Sequence, residues 1–147
     1  MIRHRKSARD DAAIRWLIDQ ELVPLSHLSP QDIQQVKKDL PRRLRRGVTL
    51  VSCEDQDAQA VGFVHLFVYG TLLNIDMLAI DTSKQRKGHG SSLLQAAEQY
   101  GRLKQCNKVK LLVDEGNQRA VRFYLRHGYH IASYITASRC YELDKLL

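Results

Sequence analysis

The sequence predicts an α/β (α+β) fold: a mixed, mostly antiparallel central sheet with helices on both faces, in the order β-α-α-β-β-β-α-β-α-β-β. Three observations carry that expectation. Before Gly47, apolar residues such as Ile14, Leu17, Ile18 and Leu22 recur at the three- and four-residue intervals of one helix face. From Val48 the period changes to runs of β-branched and aromatic residues. Further along, apolar stripes of helical period alternate with short apolar runs, as expected for helices laid on a sheet.

The elements follow in order. "MIRHRKS" reads as a short opening strand. "SARDDAAIRWLIDQEL" is a helix with Ser7 or Asp10 available as its N-cap. "LSPQDIQQVKKDL" is a second, capped by Ser29, with Pro30 at the first helical position where its fixed φ suits the turn. Pro41 should end or kink that helix, since it lacks an N–H and crowds the preceding turn, and Gly47 closes "RRLRRG". "VTLVSCED" and "AVGFVHLFVYG" form a hairpin across the turn residues "EDQDAQ", and "LLNIDMLAID" is the next strand after Gly70. "SSLLQAAEQYGRLKQC" carries an apolar helical stripe of Leu93, Leu94, Ala97, Tyr100 and Leu103. "KVKLLVDE" is a short buried strand, "NQRAVRFYLRHG" a helix ending on Gly128, and "YHIASYITASRCYELDKLL" two closing strands.

With 147 residues and no linker, low-complexity tract or internal repeat, residues 1–147 read as one domain able to bury a core. The 44% hydrophobic and 27% charged residues fit a soluble globule. No apolar stretch approaches the roughly 18 residues that span a bilayer, and the basic start "MIRHRKSARDD" lacks an apolar h-region, so the expectation is a cytoplasmic protein with no membrane partner. A formal charge of +7 favours an anionic partner. The basic residues lie in clusters (Arg3 to Arg9, Lys37 to Arg46, Lys84 to Lys87, Arg102 to Lys110, Arg119 to Arg126) that suit nucleic acid, a phosphorylated cofactor or a solvated surface. Cys53, Cys106 and Cys140 are widely separated, without C-x-x-C, and read as reduced thiols. His127 and His130 straddle a glycine, so no metal is expected.

"QRKGHGSS" follows a strand and opens a helix, presenting free N–H groups at the positive end of the helix, where Gly88 and Gly90 allow close backbone approach. Such a loop suits a phosphate, although ligand-free glycine turns are common. A dinucleotide fingerprint would need glycine where Leu93 stands and a first glycine directly at the strand end, yet residues 81–87 intervene. A P-loop needs Lys followed by Ser or Thr after the second glycine, and neither glycine has it.

The combination resembles the GNAT-type N-acetyltransferases, whose acyl-CoA motif runs as an apolar strand, four residues, then Q/R-x-x-G-x-G/A opening a helix. Here "MLAI", "DTSK" and "QRKGHG" put Gln85, Gly88 and Gly90 on its positions. The family's second element, N-x-x-A-x-x-L/F-Y-x-x-x-G-F/Y, is matched by Asn117, Ala120, Phe123, Tyr124, Gly128 and Tyr129. The resemblance implies acetyl-CoA as co-substrate. Backbone N–H groups of Gln85, Arg86, Lys87, Gly88, His89 and Gly90 would hold its pyrophosphate, with Ser91 extending the cradle and Lys84, Arg86 and Lys87 as a basic surround. The strand at Met77, Leu78 and Ile80 would pair with the pantetheine amides. Asn117 would touch the CoA arm and Tyr124 would face the thioester sulfur.

Acetyl transfer needs a neutral amine, and a lysine-like amine with pKa near ~10.4 is mostly protonated at neutral pH, so a base must act. Asp76, two residues before Leu78, stands where family members often carry Glu and is the candidate base, direct or through water; His65 is a second candidate. Tyr124 is the candidate acid for the departing sulfur. Each has a plainer reading: Tyr124 as core packing, Asp76 on a solvated strand face, Asn117 as a helix cap, His89 as an exposed loop side chain. Cys140 has no partner His or Asp beside it, which favours direct transfer.

The expected activity is therefore N-acetylation of a primary amine of a small molecule or protein. The alternatives are a non-catalytic CoA-binding or sensing domain and a basic nucleic-acid-binding module, for which no recognition-helix or RNA-binding signature is present. The basic run "KKDLPRRLRRG" is either a solvated helix face or a border of the acceptor cleft that would favour an acidic acceptor. Apolar positions in "HIASYITA" leave a homodimer through the last strands conceivable.

Overall fold

A computed structural model describes residues 1–55 and 58–147. In chain order the elements are β1 (Ile2–His4), α1 (Ser7–Leu17), α2 (Pro30–Arg45), β2 (Val48–Cys53), β3 (Ala60–Tyr69), β4 (Leu72–Ile80), α3 (His89–Leu103), β5 (Lys108–Asp114), α4 (Gln118–Arg126), β6 (His130–Ile135) and β7 (Cys140–Leu146). This is the predicted order. The strands form one sheet, β1-β2-β3-β4-β5-β7-β6, antiparallel throughout except where β4 and β5 run parallel. Gln56 and Asp57, in the expected hairpin turn, lie outside the described residues.

Strand alternation sorts the core onto the two faces of the sheet. Val51, Phe63 and Ala79 meet Ala13, Ile14 and Leu17 of α1 and Leu40 and Leu44 of α2. Leu50, Val64, Leu73 and Ile80 meet Leu93, Leu94 and Ala97 of α3 and Val121 and Tyr124 of α4. One polar knot enters this second core: the Tyr129 hydroxyl donates to Glu98 at 2.9 Å, and Lys145 Nζ reaches the same carboxylate at 3.0 Å. Burial, reinforced by the adjacent Glu98, holds the Tyr129 phenol well above its ordinary range. No described helix is long and apolar enough to cross a membrane.

Three local expectations need correction. The helix at "SARDDAAIRWLIDQEL" keeps α-helical bonding only to Leu17, and Ile18–Leu22 widens to a π turn followed by a 3₁₀ turn at Val23–Leu25. Neither Ser7 nor Asp10 is the N-cap of α1: Lys6 is, and the Asp10 carboxylate reaches back from inside the helix to accept from the Lys6 amide at 2.7 Å. Pro41 does not end α2, which continues to Arg45. An interior proline costs about 3 kcal/mol. Leu40 and Leu44, each 2% exposed, gain about 1.5–3 kcal/mol apiece by burial, enough to keep the last turn folded. Gly47 then ends the segment as expected: its φ is +154°, and a Cβ there would stand 2.3 Å from the Leu66 carbonyl oxygen.

Asp10, 1% exposed, is also gripped by Arg3, whose two terminal nitrogens donate at 2.7 and 2.9 Å. Burial alone would raise this carboxyl. The Arg3 hydrogen bonds and charge, with the Lys6 amide, outweigh it and leave the group below the usual carboxylate range. Because the folded value is depressed, the stabilisation is fully present above the unfolded value of ~3.9 and is lost as pH falls through the folded one. Asp10→Ala should therefore lower unfolding free energy by about 3 kcal/mol at pH 7, with a deficit that shrinks as pH falls below ~3.9. Urea titrations at both ends of that range check this; a deficit independent of pH would contradict the pairing.

Candidate active site

Strand β4 parts from its parallel neighbour halfway along its length. The two pair at Leu72–Ile75 against Lys108–Leu111 and no further, although β4 continues to Ile80. The parting coincides with a β-bulge: on β3, His65 faces Met77 and Leu66 faces Ile75, so Asp76 is the extra residue. A bulge bends its strand and sharpens its twist. Beyond it, β4 is bonded only to β3, and its edge towards β5 is open.

Which backbone groups line that edge follows from the ladder. The Asp81 amide donates to the Val61 carbonyl at 2.8 Å, so by the two-residue alternation of antiparallel pairing Ala79 and Met77 also turn their backbone groups to β3. Leu78 and Ile80 turn theirs to the gap. The Ile80 carbonyl accepts from Gln85 Nε2 at 3.0 Å, which fixes the loop that follows. Met77 thus departs from the expectation that it would share the open edge: its backbone faces β3 and its side chain packs with the α1 core.

From this edge a cleft of about 560 Å³ runs to the start of α3, between β4, α4 and the segment after α1. Gln85, Arg86, Gly88, His89, Gly90 and Ser91 line it with Leu78, Ile80 and Asn117. Arg86 (φ +68°) and Gly88 (φ +83°) both have positive φ, and Lys87 between them does not. Such alternation turns successive amides towards one concave side, a nest for anions. The Gln85 amide is used by the Thr82 carbonyl and the Ser92 amide by the Gly88 carbonyl, but the amides from Arg86 through Ser91 have no hydrogen-bond acceptor among the described residues. They sit at the positive end of the 15-residue α3.

Side chains brace this loop instead of filling it. The Ser52 hydroxyl pairs with His89 Nδ1 at 2.7 Å, and Glu21, brought in by the π turn, accepts from the Thr82 amide at 3.0 Å. His127 Nδ1 lies 2.8 Å from the Phe123 carbonyl, which can only accept, so in the neutral ring Nε2 accepts from the Ser91 hydroxyl at 3.0 Å. Ser91 therefore offers the cleft its amide, with its hydroxyl proton committed elsewhere. The basic surround is narrower than expected. Lys84 and Lys87 lean to Glu54, at 3.1 and 3.9 Å, and of the three only Arg86 lines the cleft. Asn117 caps α4 by accepting from the Ala120 amide at 3.2 Å and also lines the cleft, so both of its expected positions coincide.

The two candidate proton carriers lie outside that lining. Tyr124 is 5% exposed, edge-on to Phe123 and Tyr129, and its hydroxyl has no hydrogen-bond partner among the described residues. Burial raises its pKa far above that of a free phenol. Asp76 is held through both carboxylate oxygens by Arg43, with Nε at 2.7 Å. His65 is fully buried, its Nε2–H donating to the Arg43 carbonyl at 2.9 Å and its Nδ1 accepting from the Thr49 hydroxyl at 2.6 Å. Burial pushes its pKa down. With both nitrogens committed and no exposure, His65 cannot meet a substrate. The Cys140 thiol donates to the Ser138 carbonyl at 3.3 Å. Among the described residues, no group of three or more His, Cys, Asp or Glu is placed to hold a metal.

Sequence reasoning missed Glu21, Ser52 and His127 as parts of the site, and had Arg43 only within a basic run read as a solvated face or a border of the acceptor cleft. For the pairing of Arg43 and for Glu21 and Ser52 no local signal existed, since their partners are 33, 61 and 37 residues away. His127 did carry one, its position directly after a complete motif helix.

A model of the acetyltransferase (GNAT) family matches residues 11–129. The protein YdhI of Bacillus subtilis (strain 168) is 25% identical over 79 residues, covering 54% of this chain and 48% of YdhI, so the chain spans about half the length of the curated relative it matches. Among solved structures, Ard1 from Thermoplasma volcanium aligns with a TM-score of 0.78 at 24% identity, over 100% of this chain and 97% of that one. PaiA N-acetyltransferase from Thermoplasma acidophilum, in complex with coenzyme A, aligns with a TM-score of 0.72 at 18% identity, over 100% and 99%. At these identities the structures establish a common fold. The family match, which takes in the bulged strand, the amide nest and all of α4, carries the assignment: the chain belongs to the acetyltransferase (GNAT) family.

Proposed function

We propose that the chain is an acetyl-CoA-dependent N-acetyltransferase that moves the acetyl group directly to a primary amine of a small molecule or protein. The observation that carries this reading is the unbroken run of amides from Arg86 to Ser91 that have no acceptor among the described residues, at the other end of the cleft from the open edge at Leu78. The pyrophosphate of acetyl-CoA would lie in the nest. Its pantetheine amides would pair with the backbone groups of Leu78 and the amide of Ile80 as an added strand, and its thioester would reach the bulge. The Leu78 amide is then the donor available to a developing oxyanion.

In the reaction the amine nitrogen bonds to the thioester carbon, the C–S bond breaks, and the sulfur leaves as thiolate or thiol. Tyr124, protonated because burial holds its pKa high, would give that proton. Asp76, both of whose oxygens already accept from Arg43, would act by orienting a water that takes the proton from the amine. A non-catalytic CoA-binding domain is the second reading, favoured by the absence of Tyr124 and Asp76 from the cleft lining. The exposed edge strand β6, with Ile131 and Tyr134 on its surface, supports a homodimer through the closing hairpin.

Tyr124→Phe should lower kcat on the order of 10²- to 10⁴-fold in a free-thiol assay with a reactive amine while leaving the calorimetric Kd for CoA within about threefold. An unchanged kcat favours the non-catalytic reading. The raised phenol predicts a pH profile of matching shape: kcat/KM for a lysine-like amine should keep climbing to about pH 10, with no falling limb from loss of the Tyr124 proton. At the nest, Gly88→Val forces a branched side chain into φ +83° and should cost about 1–2 kcal/mol of local strain along with most CoA affinity, whereas Arg86→Ala should only weaken binding. Comparable losses for the two variants would show that side-chain charge, not amide geometry, holds the pyrophosphate.

A further inference from the structure

The nest accounts for only part of the positive charge in the cleft. Arg119, Arg122 and Arg126 recur at i, i+3 and i+7 on α4, and all three line the cleft opposite Arg86. None of the four has a carboxylate within 4.0 Å among the described residues, whereas Arg3, Arg5, Arg43, Arg102 and Arg139 are each paired. The one acid in the lining, Glu21, is held by Thr82. Helix electrostatics do not explain the row. A cation suits the last turn, where Arg126 stands, but Arg119 is in the first turn of α4, where it opposes the dipole. Four unpaired guanidinium groups around one cleft repel one another until an anion arrives.

Coenzyme A carries two separate phosphate groups, a diphosphate and a 3′-phosphomonoester on the ribose. The amide nest is one concavity of neutral donors and fits the first. A dianionic monoester displaced from it calls for planar cationic forks. The Ser91–His127–Phe123 chain of hydrogen bonds pins the C-terminal end of α4 to the N-terminal end of α3, so Arg122 and Arg126 stand beside the nest on a fixed support. We propose that Arg122 and Arg126, with Arg86 across the cleft, form a phosphomonoester subsite that reads the 3′-phosphate and selects coenzyme A over 3′-dephospho-coenzyme A. The proposal rests on the reading of the cleft as a CoA site.

Calorimetric titration of the full chain with coenzyme A and with 3′-dephospho-coenzyme A, at one fixed salt concentration, tests it. Wild type should bind coenzyme A ~10- to 100-fold more tightly, the return for one or two charge-assisted hydrogen bonds. In the Arg122→Ala/Arg126→Ala double variant, coenzyme A should fall to the dephospho value while 3′-dephospho-coenzyme A stays within about threefold of wild type. Arg45→Ala, on α2, should change neither. Equal wild-type affinities for the two ligands, or equal losses for both in the double variant, would overturn the subsite while leaving the CoA reading standing. Failure of wild type to bind either ligand would instead remove the CoA reading. The wild-type comparison depends on no variant folding.

Discussion

A central strand of a sheet normally spends its hydrogen-bonding groups on both neighbours, and the site exists because β4 stops doing so at Asp76. One extra residue opposite the His65–Leu66 step turns the strand out of register with β5 and frees the backbone of Leu78. The bulge is not left to itself. Arg43 grips Asp76 through both oxygens, and the Arg43 carbonyl accepts from His65, the residue facing Met77. Complete burial favours the neutral ring, whose one N–H is then spent on that carbonyl while Nδ1 accepts from Thr49. Arg43 in turn belongs to the turn of α2 that survives beyond Pro41 because Leu40 and Leu44 are buried. A proline-containing helix, a buried histidine and an acid on a bulge are thus one connected device. Its output is a strand edge with unused backbone groups.

The loop at the other end of the cleft stores strain in a similar manner. A side chain at φ +68°, as at Arg86, is disfavoured, and unpaired amides in succession forgo their usual bonds. Both persist because the loop is pinned from several sides: Gln85 to the Ile80 carbonyl, Ser52 to His89, Glu21 to Thr82. Gly90 contributes by what it lacks, since a Cβ there would press on the Phe123 ring at 3.3 Å. The donors are therefore held in place before any anion arrives, and binding need not order them.

What the sequence made legible and what it hid divide along a physical line. The order of elements, both helix faces and the nest could be read because they depend on short-range spacing: apolar period, glycine where φ turns positive, asparagine at a helix start. The π turn at Ile18–Leu22, the passage of α2 through Pro41 and the pairing of Asp76 depend on contacts between distant segments, which no local pattern encodes. Met77 shows the limit most finely. Its neighbour Leu78 was assigned the same role, and the two differ only because the ladder fixed at Asp81–Val61 points alternate residues to opposite edges. A one-residue change of register would exchange them.

The two ends of the cleft also demand opposite surroundings. Phosphates are best met where guanidinium groups and amides lie in partly solvated space, and there the unpaired arginines of α4 gather. At the end where the proposed reading puts the thioester, a free cation would disfavour the incoming ammonium, and a wet site would weaken any oxyanion donor. Of Phe123, Tyr124 and Tyr129 only the first lines the cleft; Tyr124 packs edge-on behind it and Tyr129 behind Tyr124, and burial keeps the Tyr124 phenol protonated. Helix α4 serves both ends at once, because residues three and four apart share a face while their neighbours do not: Arg119, Arg122 and Arg126 look into the cleft, while Val121 and Tyr124 look into the core. The burial of Val121 and Tyr124 on one face is what lets the other carry so much unpaired charge without unseating the helix.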